Sequence, residues 1–314
     1  MKLVTLQALD ENSVRCIVPD MIITHVKTEE DLFREAIDAN IVLGVGADYF
    51  PELLRRCPTV RWVHTSTAGV DHYICKELIS GNTILTCAKG GAAGRNLAEH
   101  ALGLTLALSR NIAECARSGA WRRAELSLGP FELSEKKAGI AGFGAAGRDL
   151  ADLLAGFHVD ILAVKRNGPF GSHGNVRILS PESFMEMLQD RDVVYNFLPA
   201  TAETKATFDR RAFAGMKRGA LFVNVGRGST VDTDALVEAL RDGVIGGAGI
   251  DTVDPEPLPD GHPLWSMPNV IITPHIAGAS PDRNDRNKLS FLENLRRFAK
   301  DKPLKNAVDP ALGY

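Results

Sequence analysis

At 314 residues the chain has room for two domains, each able to bury a core of its own. An apolar fraction of 45% beside 24% charged residues is ordinary for a globular protein. The formal net charge of −3, with no cluster of Lys and Arg, argues against a nucleic-acid partner. Along the chain, the opening MKLVTLQALDENSVRC meets polar and acidic residues at once, so no signal-peptide core is expected. The most apolar run, Ala101 to Leu108, is too short to span a bilayer, so no membrane partner is expected either. The cysteines (Cys16, Cys57, Cys75, Cys87, Cys115) are odd in number and scattered, without a C-x-x-C pair. That predicts neither a disulfide framework nor a metal site, and a cytoplasmic location.

Short β-rich runs alternate with helical patterns. Ile41 to Val45 reads as a strand, Pro51 to Cys57 as a short helix, and Val60 to His64 as a second strand ending at the turn Ser66-Thr67-Ala68-Gly69. Such alternation predicts parallel sheets covered by helices. Asn96 to Arg117 is the longest helical candidate, with Leu97, Ala101, Leu104, Leu108 and Ile112 on one face. The irregular stretch from Gly119 to Leu133, holding Trp121, Gly129 and Pro130, suggests an arm that a second subunit covers, hence a homodimer; the alternative is an ordinary surface loop anchored by its Trp. From Lys137 a βαβ unit starts: strand Ala138 to Ala141, glycine loop, helix Arg148 to Phe157, strand Val159 to Val164. A closing amphipathic helix, Arg286 to Lys300, carries Leu289, Leu292, Leu295 and Phe298.

The glycine loop is Gly142-Phe143-Gly144-Ala145-Ala146-Gly147. Between a strand and a helix, its glycines allow a tight turn, close approach to a pyrophosphate and close helix packing, so a dinucleotide site is predicted. The next strand ends in Lys165-Arg166-Asn167 where an NAD-binding unit usually places an acid. Two cations there suit a ribose 2′-phosphate, which predicts NADP over NAD.

Three later loops each follow an apolar strand: Asn224-Val225-Gly226-Arg227-Gly228, Gly249-Ile250-Asp251-Thr252 leading to Asp254-Pro255-Glu256-Pro257, and Thr273-Pro274-His275-Ile276-Ala277-Gly278. Strand ends of this kind gather at the ligand-binding edge of an open sheet. Arg227 there can hold a carboxylate and polarise a carbonyl, and His275 can act as general acid. Glu256 on the other ring nitrogen favours the charged imidazole. Reduction of a 2-keto acid needs those three groups.

These stretches, with STAGVDH from Ser66, AEHA from Ala98, NFLP from Asn196 and the Glu203-Thr204 pair, resemble the D-isomer-specific 2-hydroxyacid dehydrogenases nearly end to end. The likeness is strongest to the NADP-using glyoxylate/hydroxypyruvate reductase branch. It implies two α/β domains with doubly wound parallel sheets, one flavodoxin-like and one dinucleotide-binding. The substrate-binding domain would take residues 1–100 and 285–314, and the NAD(P)-binding domain 101–284. By resemblance Arg227, Glu256 and His275 are the catalytic trio, and the backbone of Ala68, Gly69 and Val70 holds the substrate carboxylate. Leu198, Pro199 and Thr204 line the adenosine side, and Asp251 is the acid near the nicotinamide carboxamide. Val225, Gly226 and Gly278 would also border the cofactor. Ala146 before the third glycine, where the family often has a bulky aliphatic, and Thr252 after Asp251 depart from the usual pattern without removing a chemical group. The alternatives are an NAD-preferring dehydrogenase of a bulkier acid and a nucleotide-sensing binding protein on the same fold.

Overall fold

The computed structural model describes residues 1–90, 94–127, 129 and 131–314, His173 by its backbone only; Pro130 lies outside the described residues. The chain divides into two units, residues 1–93 with 280–314 and residues 94–279. The resemblance places the divisions near 100 and 285. They fall earlier because the helix Gly94–Ser109 lies wholly in the second unit and the helix Pro281–Phe298 wholly in the first.

In the first unit, β1 (Lys2–Thr5), β2 (Ile22–His25), β3 (Ile41–Leu43), β4 (Trp62–His64) and β5 (Ile84–Thr86) form a parallel sheet. Its order β2-β1-β3-β4-β5 is that of flavodoxin-like folds. Strand alternation sends Val4, Val42 and Val63 to one buried layer and Leu3, Ile41 and Trp62 to the other. The closing helix covers the second layer, where Phe291 stacks on Trp62 with ring centroids 5.1 Å apart. Leu289, expected on the apolar face, is exposed, and Phe291, Leu295 and Phe298 are buried instead.

The second unit holds β6 (Lys137–Ala141), β7 (Asp160–Val164), β8 (Gly171–His173), β9 (Val176–Leu179), β10 (Val193–Asn196), β11 (Ala220–Asn224), β12 (Ile245–Ile250) and β13 (Val270–Ile272). They lie in the order β13-β12-β11-β10-β6-β7-β9-β8. The segment β9-β7-β6-β10-β11-β12 has the strand order of a dinucleotide-binding sheet, with β6 at the centre. Among the described strands β8 alone runs antiparallel, pairing with β9 at the edge. Both faces are covered: on β11, Phe222 joins the Phe208 and Phe213 layer, while Leu221 and Val223 join that of Leu104 and Ile140.

The predicted single helix from Asn96 to Arg117 is in fact two, Gly94–Ser109 and Ile112–Ser118. Asn111 breaks it with φ +54°, a conformation asparagine tolerates, and donates from Nδ2 to the Leu126 carbonyl at 3.0 Å. The arm that follows contains a short helix, Arg123–Leu126, and its Trp121 is 94% exposed. No helix among the described residues is long and apolar enough to cross a membrane, and none of their His, Cys, Asp and Glu side chains gather in a group of three able to hold a metal ion.

Candidate active site

Every site residue expected in the second unit follows the carboxyl end of a strand. The glycine loop follows β6, Lys165 and Arg166 follow β7, and Leu198, Pro199 and Thr204 follow β10. Arg227 follows β11, Asp251 and Glu256 follow β12, and His275 and Gly278 follow β13. Because these strands are neighbours and parallel, one sheet edge carries all of them. The chain leaves β6 toward β7 on one side and reaches β10 on the other, which is where a ligand crevice opens in such sheets.

The glycine loop fits a dinucleotide. Gly142 takes φ +93°, and a Cβ there would meet the Phe197 carbonyl at 2.9 Å. A Cβ on Gly147 would stand 2.8 Å from the Gly142 carbonyl oxygen, so helix and strand pack at the closest spacing. At Gly144 a Cβ would meet nothing within 4 Å, leaving open space for a phosphate. The helix Ala145–Ala155 begins there with no side-chain cap, so its first N–H groups and positive dipole end are available to an anion. Phe143 and Val225 are both buried, with side chains in the core, so only their backbones can serve a cofactor.

Beyond β7, Lys165 donates its backbone N–H to Leu179 at 3.1 Å, while Arg166 and Asn167 are exposed. Arg166 stands 3.6 Å from the Glu203 carboxylate, on the loop after β10. In that loop Thr204 donates its hydroxyl to the Pro199 carbonyl at 2.6 Å and accepts from the Thr201 N–H at 2.9 Å. Its role here is to fold the loop.

The loop bearing Arg227 is stitched from below. Asn196 Nδ2 donates to Asn224 Oδ1 at 2.9 Å and to Thr230 Oγ1 at 2.7 Å, and Asn224 Nδ2 donates to the Thr252 carbonyl at 2.9 Å. The Leu198 and Gly226 N–H groups donate to the same asparagine pair. Loops after β10, β11 and β12 are thereby tied together by fully buried side chains. Gly226 and Gly228 let them close, since a Cβ on either would run into the backbone of Leu198 or Val253. Arg227 donates from Nη1 to the Gly226 carbonyl at 2.9 Å, and its own carbonyl accepts the Thr230 hydroxyl at 2.6 Å.

His275 is held in the left-handed region, φ +53°, which is uncommon for a residue with a Cβ. Its N–H donates to the Asp251 carbonyl at 2.9 Å. The buried Asp251 carboxylate secures the rest of the turn, accepting from Thr273 Oγ1 at 2.6 Å, Ile276 N at 2.9 Å and Ala277 N at 3.1 Å. His100, on the long helix, adds a 2.9 Å bond between Nε2 and Thr273 Oγ1. So fixed, the His275 ring sets Nδ1 2.6 Å from Glu256 Oε1. A carboxylate can only accept, so Nδ1 carries the hydrogen and Nε2 is left to exchange a proton with a ligand. Both side chains are nearly half exposed.

A histidine backed by a carboxylate on the same edge as a dinucleotide loop is the constellation of a hydride-transfer enzyme. Residues 102–277 match the NAD-binding domain of the D-isomer specific 2-hydroxyacid dehydrogenases. The chain belongs to this family. It is an NAD(P)-dependent oxidoreductase, similar to the glyoxylate/hydroxypyruvate reductase B of Escherichia fergusonii, with 31% identity over 98% of this chain and 95% of the relative. A D-isomer specific 2-hydroxyacid dehydrogenase from Xanthobacter autotrophicus Py2, solved with NADPH and MES, has the same fold at TM-score 0.82. That match covers 100% of this chain and 99% of the other at 28% identity. The NAD-dependent formate dehydrogenase of Staphylococcus aureus, solved with NAD, matches at TM-score 0.76 and 25% identity, over 98% and 99% of the two chains.

Sequence reading missed the Asn196–Asn224–Thr230 stitch and the His100–Thr273 bond. Asn196 and Asn224 each end an apolar strand, which is the signal that points to them. His100 lies in the AEHA stretch, but nothing local points to its partner Thr273, 173 residues away.

Proposed function

We propose that this enzyme uses NADPH to reduce small 2-keto acids of the glyoxylate and hydroxypyruvate type to their 2-hydroxy acids. The observation that carries the reading is the 2.6 Å bond between His275 Nδ1 and Glu256, which leaves Nε2 as the proton donor. When bound, the reduced nicotinamide supplies the hydride that reaches the keto carbon. The chain's own residues do the rest. Arg227 pairs with the carboxylate and draws electron density from the carbonyl. His275 gives its Nε2 proton to the carbonyl oxygen, and Glu256 stabilises the imidazolium before that transfer. Asp251 keeps the imidazole aimed by holding its turn, beside the place near the nicotinamide carboxamide that the resemblance implies for it. The second unit is assigned to the cofactor and the first to the substrate, whose carboxylate the backbone N–H groups of Ala68, Gly69 and Val70 would take.

The preference for NADPH is supported by Lys165 and Arg166 directly after β7, the position where an NAD-binding unit usually carries its acid. NAD is the second reading, favoured by Glu203, which already faces Arg166 at 3.6 Å and would oppose a 2′-phosphate. A homodimer is supported by the exposed Trp121 and Ile112 on the arm and its preceding helix. A cytoplasmic location is supported by five free cysteines. The test is a matrix of glyoxylate, hydroxypyruvate and phenylpyruvate against NADPH and NADH, followed by loss of nicotinamide absorbance. The reading expects the highest kcat/KM with NADPH and a small acid. Best turnover of phenylpyruvate with NADH would favour the bulkier-acid alternative, and binding without turnover of any acid would favour a sensor.

A further inference from the structure

Beneath the substrate loop of the first unit runs a buried polar chain that packing alone does not require. Trp62 Nε1 donates to Thr86 Oγ1 at 2.8 Å, and Thr86 lies 2.7 Å from His64 Nδ1. On the other side of the ring, His64 Nε2 lies 3.2 Å from Asn287 Oδ1, on the closing helix. Asn287 Nδ2 then donates to Ser66 Oγ at 2.7 Å, and Ser66 Oγ donates to Gln7 Oε1 at 2.8 Å. Arg283, one helical turn before Asn287, donates from Nη2 to the Ser66 carbonyl at 2.7 Å. Gly44, with φ +89°, makes room for Gln7, whose Cγ would stand 2.6 Å from a Cβ there.

The chain has one consistent direction. Asn287 Oδ1 accepts, so His64 Nε2 carries the hydrogen and Nδ1 receives the Thr86 hydroxyl, which satisfies every member with a neutral imidazole. Burial keeps His64 in that form, pushing its pKa down to about 4. His64, Thr86 and Asn287 are all buried on the face where Trp62 and Phe291 pack. That face accepts large apolar groups, and apolar residues there would avoid the desolvation that buried polar side chains suffer. The polar chain therefore has a directional purpose, and it ends at Ser66. From there the loop runs through Thr67 to Ala68, Gly69 and Val70. Thr67 is fixed by its carbonyl, which accepts from Ala88 N at 2.9 Å, and by Thr65 Oγ1 at 3.3 Å from its N–H.

We propose that Asn287 and Arg283 are positioning residues for the substrate, fixing the Ser66 end of the loop whose Ala68, Gly69 and Val70 N–H groups take the carboxylate. The carboxylate role rests on the function proposed above; the fixing of the loop does not. A closing helix that would otherwise be a packing element thus reaches into substrate recognition.

The test compares Asn287→Ala, Asn287→Asp and Arg283→Met with the unaltered enzyme. Asn287→Asp is the conservative member, keeping the acceptor toward His64 and losing the donor toward Ser66. Two readouts are used: amide hydrogen exchange of the peptide spanning Ser66 to Val70, and the split of KM for glyoxylate against kcat and the NADPH dissociation constant. The expected result is faster exchange in that peptide, with strand β1 unchanged, and a KM raised about tenfold, the worth of roughly one hydrogen bond. The kcat and NADPH binding should stay as they were. Unchanged loop exchange in both Asn287 variants overturns the proposal. So does a fall in thermal stability with KM unmoved, which is what a merely structural helix would give. Should the unaltered enzyme reduce no 2-keto acid, the functional reading fails by itself, and the exchange measurement still decides whether the network fixes the loop.

Discussion

Glu256 Oε1 meets His275 Nδ1 at 2.6 Å even though the His275 backbone is left-handed, and the bonds of Asp251 to the turn are what hold it there. A residue kept in a sparsely populated conformation by its surroundings signals a ring that must point one way. The proposed function then carries an order of dependence: Asp251 would act through the turn and Glu256 through the ring, and of these three His275 alone would meet the reacting oxygen.

His275→Ala should lower kcat for keto-acid reduction by about 10²–10⁴-fold while NADPH binding is nearly intact. Glu256→Gln should cost less, and adding it to His275→Ala should cost almost nothing more, because its effect passes through the missing ring. A double variant whose losses simply multiply would mean Glu256 has a task of its own.

Arg227→Lys keeps the charge and loses the planar fork. Since an ammonium cannot make two coplanar bonds to carboxylate and carbonyl, kcat/KM should fall by roughly ten- to a hundredfold. Steady-state kinetics with glyoxylate measure this. Activity close to the parent would make Arg227 a general electrostatic group.

Asp251→Asn exchanges one acceptor oxygen for a donor facing the Ile276 or Ala277 N–H. With two donors opposed in a buried turn, stability should fall by about 1–3 kcal/mol. The turnover number should drop as well, because the His275 turn relaxes. Denaturant melts and kinetics on one sample test both. Loss of stability with full activity would detach Asp251 from the histidine.

How much of this was legible beforehand varies with the range of the cause. The glycine loop and the Arg227, Glu256 and His275 loops are local patterns, each an apolar strand running into a turn, so sequence carries them. The break at Asn111 depends on a bond to Leu126. The exposure of Leu289 depends on which side of its helix Trp62 occupies. The edge hairpin of β8 and β9 was missed because Gly171–His173 has no apolar alternation. The Asn287–His64 bond joins residues 223 positions apart, and no window along the chain contains both.

His64 makes stability depend on acid. In the folded state its pKa is about 4 against an ordinary 6.5, because burial disfavours the charged ring. Above pH 6.5 folded and unfolded chains both hold it neutral, and its contribution is fully present. Between 6.5 and about 4 the unfolded chain binds the proton first, so stability falls with pH, by on the order of 3 kcal/mol across the window. Urea melts at pH 8, 6 and 4.5 should display that loss, and His64→Gln should shrink it. An equal slope in the variant would assign the acid sensitivity to other groups.

Cofactor choice is decided at the ribose, because both nicotinamide nucleotides share the pyrophosphate that the Gly142–Gly147 loop suits. On the proposed reading Lys165 and Arg166 would offer two charge-assisted bonds to a 2′-phosphate, partly exposed and therefore worth a preference on the order of tenfold to a thousandfold. Glu203 works against it from 3.6 Å, since its carboxylate would face the same phosphate that Arg166 attracts. The two effects predict opposite outcomes on substitution. Lys165→Asp with Arg166→Ala should sharply weaken NADPH use and spare or improve NADH use. Glu203→Gln should do the reverse, tightening NADPH alone, with the gain largest at low salt where screening is weakest. Fluorescence titration with each nucleotide reads both without turnover. An unaltered enzyme that binds NADH as well as NADPH would reduce Lys165 and Arg166 to a solvated strand end and make the NAD reading correct.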